Sequence, residues 1–329
     1  PAVLVVRPRG QSLSLAAEIK GFRDFAPNTL RGVILNGVSK AMYPFYKAIA
    51  EQAGLTVYGC LPPVPEAEIP DRHLGLVTAQ EIGDLQAKLN RLADAAEEGL
   101  DLDGLLALAH TAPLLSDESA LPMPVADRPV RIAVARDRAF CFYYADNFDV
   151  LRALGAEIVE FSPVADEKLP EHIDGLYLGG GYPELYAEQL AVNRTMRESI
   201  RAAVRGGLPT IAECGGFLYL HRTLDGAEMA GVIDADAHMT KKLQPFGYVT
   251  LTAARDNLLC RAGGTIRAHE FHYAQSGDNG DAFRAEKPNG RAWDCVHASE
   301  TLYAGFPHLY LRANPAFAQS FVRACAQGR

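Results

Sequence analysis

Apolar and polar positions along the chain alternate between two periods, and the change of period divides it. Ala2 to Val6 is an unbroken apolar run that predicts a buried parallel strand. Leu13, Ala16, Ala17, Ile19 and Phe22 then recur at helical spacing and predict a helix over 12–25. Gly32 to Asn36 predicts the next strand, 41–53 the next helix, and 55–61 a third strand closed by Pro62-Pro63. Strand alternating with helix implies a parallel sheet with helices on its faces. Residues 78–98 predict a long amphipathic helix and 101–109 a shorter one. Residues 110–129 carry four prolines and little periodicity, which predicts a linker.

A second series opens at Arg131 to Ala135. It predicts a helix at 143–154 and strands at 157–161 and 175–178, the latter running into Gly179-Gly180-Gly181. A helix at 184–204 leads to the apolar run Pro209 to Ala212. Beyond residue 229 the texture changes to strand-like runs at 229–235, 246–253, 265–274 and 296–306, and a last helix is predicted over 315–326. The whole reads as two α/β domains, the second with an added antiparallel portion. Functional groups in such sheets gather at the carboxyl ends of the strands, where Gly179–Gly181 and Cys214 both fall.

Composition narrows the function. The net charge of −8 over 329 residues argues against a nucleic-acid surface, which is basic. No apolar run approaches the roughly 20 residues needed to span a bilayer. Six scattered cysteines without a C-x-x-C pair suit reduced thiols, so a cytoplasmic protein is expected. The chain opens at Pro1, directly inside a strand-like run, which suggests sequence upstream of it.

The chemistry centres on Cys214. A buried strand, one cysteine, two glycines and an apolar helical run form a strand-to-helix corner of the nucleophile-elbow kind, with Cys in place of Ser. The helix N-terminus at that corner is expected to lower the thiol's pKa.

Four stretches carry a family resemblance: Arg131 to Tyr144, Gly175 to Glu184, Ala212-Glu-Cys-Gly-Gly216, and Arg267-Ala-His-Glu-Phe-His-Tyr273. Together with Gly32 to Asn36 and Arg72 to Leu76, they resemble the cobyrinate a,c-diamide synthases, glutamine-dependent amidases of the corrin pathway. The resemblance implies an α/β fold in two parts: the C-terminal part of a P-loop-type, parallel-sheet synthetase domain (1–110), and, after the linker (111–129), a class I glutamine amidotransferase domain of flavodoxin-like α/β type (130–329). It also implies L-glutamine and cobyrinate, or a related tetrapyrrole, as partners, and leaves a homodimer open. A nickel-sirohydrochlorin a,c-diamide synthase shares the architecture and is the alternative. So is a glutaminase-like fragment without synthetase activity.

In that family a phosphate loop ending in Gly-Lys-Thr binds ATP with magnesium. No G-x-x-x-x-G-K-[ST] motif occurs in these residues, so ATP and Mg are expected to enter through upstream sequence, with no tightly bound cofactor on this chain. Arg7 stands where the family has an acidic residue suited to magnesium. The resemblance implies Cys214 as nucleophile and His308 as base, the latter in Gly305-Phe-Pro-His308-Leu-Tyr310. Tyr310 occupies the position of a carboxylate that orients the base in many class I enzymes, so a Cys–His pair without that orienter is expected. Gly180, Gly181 and Gly215 are expected to supply oxyanion-hole N–H donors. Strand alternation puts His269 and Phe271 on one face and Glu270 and His272 on the other. These histidines and Glu270 are expected to wall a substrate pocket and not to hold a metal, since no third ligand is evident. Asn36 is the candidate adenine contact. Arg72 and His73 are candidates to face an anionic substrate.

Overall fold

A computed structural model describes residues 1–72, 75–115 and 121–327. It contains two compact units, Pro1–Glu118 and Ser119–Arg329. In the first, strands β1 (Ala2–Val6), β2 (Leu30–Asn36) and β3 (Thr56–Leu61) form a parallel sheet in that order. Helices α1 (Ser14–Asp24) and α2 (Tyr43–Glu51) bury Leu15, Ile19 and Ile49 in the same core as Val33 and Leu35. Each such side chain stabilises by about 1.5–3 kcal/mol relative to exposure. The expectation of a buried first strand fails for β1. Among the described residues it pairs only with β2, and of its five residues only Val6 is buried. Helix α3 (Leu85–Gly99) starts later than its apolar spacing suggests and buries none of its side chains; α4 is Leu102–Ala109.

The second unit is built on a six-stranded sheet. In chain order its strands are β4 (Val130–Ala135), β6 (Ala156–Phe161), β7 (Gly175–Leu178), β9 (Thr210–Glu213), β14 (His297–Ala298) and β15 (Leu302–Gly305). Across the sheet they lie β14-β15-β9-β7-β4-β6. All neighbours are parallel except the β14–β15 hairpin. Without the hairpin edge this is the flavodoxin-like order 2-1-3-4-5. The period of two along β4 sends Ile132 and Val134 into one core and Ala133 and Ala135 into the other. The first core is covered by α5 (Ala145–Ala153) and α9 (Pro315–Gln327), the second by α6 (Ala187–Val192) and α7 (Arg194–Arg205). The single helix expected at 184–204 is broken at Asn193, whose side chain caps α7 by accepting from Met196 N–H.

A separate antiparallel sheet is ordered β13-β12-β10-β11-β16, with β10 at Gly247–Ala253, β11 at Thr265–Glu270, β12 at Phe283–Glu286, β13 at Ala292–Cys295 and β16 at His308–Leu309. One face packs Val249, Leu251, Ile266 and Ala285 into the first core; the other turns Tyr248, Thr250, Arg267 and Glu286 outward. The strand expected at 229–235 is instead a buried loop. Its apolar residues pack inward while its N–H groups donate to carbonyls at the end of the helix after Cys214, among them Leu220. Residues 125–129, expected as linker, belong to this unit: Val125 and Ala126 pack on its core and Arg128 pairs with the buried Asp174.

Candidate active site

Strand β9 ends at Glu213 and helix α8 runs from Gly215 to Leu220, so Cys214 is the single residue of the corner. Its φ of 48° is a left-handed conformation that costs a non-glycine residue roughly 1–3 kcal/mol, held here by Cys214 N–H donating to Gly305 and Gly216 N–H donating to Gly179. The corner is crowded by backbone. A Cβ added at Gly216 would lie 2.1 Å from the Leu178 carbonyl oxygen, and one at Gly215 would lie 3.0 Å from the Gly181 nitrogen.

Gly180 and Gly181 form a short strand, β8, antiparallel to β5 (Phe140–Phe142). A Cβ at Gly180 would fall 2.4 Å from His308 Cε1, and one at Gly181 would fall 2.1 Å from the Ala139 carbonyl oxygen. The structure thus brings Gly180, Gly181, Gly215 and His308 around the Cys214 corner. His308 pairs across β11 with His269, and its strand is pinned by Asn147, which donates to Leu309 O and accepts from Leu311 N–H, each at 2.8 Å.

Two expectations are corrected. Burial dominates the helix end: the thiol is 4% exposed, and desolvation, with Glu184 adding to it, pushes its pKa up to about 12. The helix is only six residues long and its Gly215 N–H offsets little of this. The second correction concerns the base's partner. Tyr310 is engaged elsewhere, donating to Asp146 at 2.5 Å, but His308 does not lack a carboxyl group. Glu213 Oε2 lies 3.9 Å from His308 Nδ1. Glu213 accepts from Leu309 N–H at 2.8 Å and from Tyr177 O–H at 2.9 Å. Glu213 is not among the residues expected from sequence, because it follows directly on the apolar run Pro209 to Ala212 and reads as its polar end. Its signal was a charged residue ending a strand whose four positions are all buried.

Burial raises Glu213 to about 8 and lowers His308 to about 4. At pH 7 the thiol, the imidazole and most of the Glu213 carboxyl are therefore uncharged. The proton needed to form an imidazolium beside Glu213 is then supplied by the thiol when it is consumed.

His308 and Glu213 line a cavity of ≈ 270 Å³ with Cys141, Tyr144, His269 and Phe271. The alternation read in His269-Glu-Phe-His272 holds in space although β11 ends at Glu270. His269 and Phe271 face this cavity, whereas Glu270 and His272 are buried and line a second one of ≈ 460 Å³. There Glu270 Oε2 and His272 Nε2 have no hydrogen-bond partner among the described residues, His272 stacks on Phe306 at 3.7 Å, and burial moves Glu270 up to about 7. Among the described residues no group of three or more His, Cys, Asp and Glu could hold a metal, and no helix is long and apolar enough to cross a membrane.

In the first unit Asn36 is exposed at the carboxyl end of β2. Arg7 crosses the adjoining corner, its Nε 2.9 Å from where a Cβ on Gly37 would lie. The Arg7 guanidinium puts a positive charge at this corner, which does not suit a metal ion. His73 and the Arg72 side chain lie outside the described residues.

A parallel sheet of this order carrying a cysteine at a strand-to-helix corner defines an amidotransferase-like fold, and residues 131–316 match the family of the CobB/CobQ-like glutamine amidotransferase domain. The chain is 37% identical to the cobyrinate a,c-diamide synthase of Caldanaerobacter subterraneus over 99% of its own length and 74% of the relative's. It is likewise 37% identical to that of Picrophilus torridus, over 99% and 73%, and 39% identical to that of Thermoplasma volcanium, over 99% and 73%. The chain belongs to the cobyrinate a,c-diamide synthase family.

Proposed function

We propose that this protein makes the a,c-diamide of cobyrinate, using glutamine split at Cys214 as its nitrogen source. The observation that carries the reading is the strained Cys214 corner, with three glycine backbones and His308 around it, in a chain of this family. Cys214 attacks the side-chain amide carbon of glutamine while His308 takes the thiol proton. Backbone N–H groups of Gly181 and Gly215 stabilise the oxyanion, and Gly180 leaves room for the imidazole. His308 returns the proton to the leaving nitrogen, ammonia departs, and water hydrolyses the glutamyl thioester to glutamate and free thiol. Glu213, beside His308 Nδ1, orients the imidazole.

Each acetate carboxylate must be activated before ammonia can displace an oxygen from it. In this reading ATP supplies that activation as an acyl phosphate, with Asn36 beside the adenine. The 329 residues hold no phosphate-loop motif, and the positive Arg7 corner does not suit magnesium.

The glutaminase half is tested on this chain by glutamate release. Cys214→Ser should abolish it, and in the whole enzyme amidation driven by free ammonia should survive the same change. Loss of both would show that the two chemistries are not divided as proposed.

A further inference from the structure

The outward face of the antiparallel sheet carries a third, larger cavity of ≈ 920 Å³. Its walls include Tyr144, Tyr248, Tyr310, His269, Arg267 and Lys287. Three features set it apart from an ordinary solvated sheet face. Its aromatics are open: Tyr248 is 77% exposed, its ring 5.1 Å from His269, and Tyr144 meets Tyr310 edge-on at 5.4 Å. Its cations are free. Among the described residues neither Arg267 nor Lys287 has a carboxylate within ion-pair distance, whereas Arg284 on the next strand is held by Asp294 and Arg255 by Asp281. Unpaired cations gathered in a groove are notable on a chain of net charge −8. Finally, the groove shares Tyr144 and His269 with the cavity lined by Glu213 and His308, so a ligand in it lies one side chain away from that cavity.

We infer that this groove binds the nitrogen acceptor as a flat macrocycle bearing several carboxylates. The inference rests on the amidation proposed above and adds the place where the acceptor docks. Tyrosine rings present extended apolar faces to a planar ligand, and two cations with flexible stems hold its peripheral carboxylates by charge-assisted contacts. A volume of this size exceeds what glutamine requires and falls in the range of enclosed ligand sites for larger molecules. Glu286 is the lone carboxylate on the lining, separated from Arg267 by Thr250, which pairs with both. It repels an anion from its side of the groove, so the charged edge of the ligand lies over Arg267 and Lys287. Tyr144 and His269 then form the partition that ammonia passes to reach the acceptor.

The test is a titration of the full chain with cobyrinate, followed through the corrin's visible absorption, on wild type, Arg267→Ala/Lys287→Ala and Tyr248→Ala. Glutamine hydrolysis is measured on the same samples. The double variant should bind cobyrinate at least tenfold more weakly and Tyr248→Ala several-fold more weakly, both with wild-type glutaminase rates. Wild-type binding should weaken as salt rises. Inorganic phosphate and ATP at the same concentrations should not displace cobyrinate. Wild-type affinity in the double variant, no binding by wild type, or displacement by phosphate would overturn the assignment. The two readings fail separately. Weakened corrin binding by the variants in a chain that does not hydrolyse glutamine removes the proposed function and leaves the groove. Cys214-dependent hydrolysis with unchanged corrin binding does the reverse.

Discussion

Glu213→Gln isolates the one buried carboxyl at the centre of the site, and its effect on stability can be worked out in sign and size. Glu213 is 2% exposed and raised from 4.5 to about 8. A group whose folded pKa is raised gives stability that is complete below the unfolded pKa and is lost as pH climbs through the folded one. Glu270, raised to about 7, acts in the same direction. His221, His272 and His308 are each lowered by burial to about 4, and a lowered histidine gives stability that is present above 6.5 and lost towards pH 4. Between pH 4.5 and 6.5 the three histidines outweigh the two carboxyls, so stability rises. Between 6.5 and 8 the two carboxyls outweigh the last part of the histidine titration, so it falls. At about 1.4 kcal/mol per unit the carboxyls lose roughly 2.5 kcal/mol, about two-thirds of it from Glu213, and the histidines return about 1 kcal/mol. The amide of Gln keeps an acceptor for Leu309 N–H and carries no ionisable proton, so the variant should gain about 2 kcal/mol on wild type from pH 6.5 to 8. Trp293, the protein's single tryptophan, lies in the second unit, so its fluorescence in urea reports that unit alone. An unchanged fall in Glu213→Gln, or a wild type more stable at pH 8 than at 6.5, would refute the reasoning.

Three further outcomes follow from the same geometry. His308→Ala should lower glutamine hydrolysis by about 10²–10⁴-fold, whereas His269→Ala should retain most of it; the reverse order would move the base to His269. Gly181→Ala drives a methyl against the Ala139 carbonyl at 2.1 Å and should cost about 1–3 kcal/mol in urea unfolding, while Gly215→Ala, at 3.0 Å, should cost less. Iodoacetamide at pH 7.5 should leave Cys214 unmodified by mass spectrometry, because its thiol is pushed up to about 12, yet a glutamine-shaped electrophile should label it. Equal labelling by both reagents would show that the thiol is ionised at rest.

Much of the scaffold was legible because its signals are local. Ile132 and Val134 against Ala133 and Ala135, and the apolar run before Cys214, follow from spacing alone. The site was legible where it is encoded by residue type at a turn: Cys214 with its glycines, and the opposite facing of His269 and Glu270. What stayed hidden depends on long-range packing. Glu213 and His308 are 95 positions apart, and no local pattern says that β16 lies against the end of β9. Burial likewise cannot be read from a thiol's neighbours, which is why the helix end was credited with lowering a pKa that desolvation raises. The buried 229–235 loop shows that an apolar run without alternation does not distinguish a strand from a segment wrapped on a helix end.

The strict two-residue alternation of β10 and β11 has a consequence for how such a protein can change. Outward positions 248, 250, 267 and 269 touch the groove, while 249, 251, 266 and 268 fill the interior. Replacements at 248, 250 and 267 therefore leave the second set undisturbed, and the Cys214 corner, closed to side chains by its own backbone, is not altered by them. Acceptor preference can drift, or be redirected in the laboratory, by editing every other residue of two strands, with the nitrogen-releasing machinery inherited unchanged.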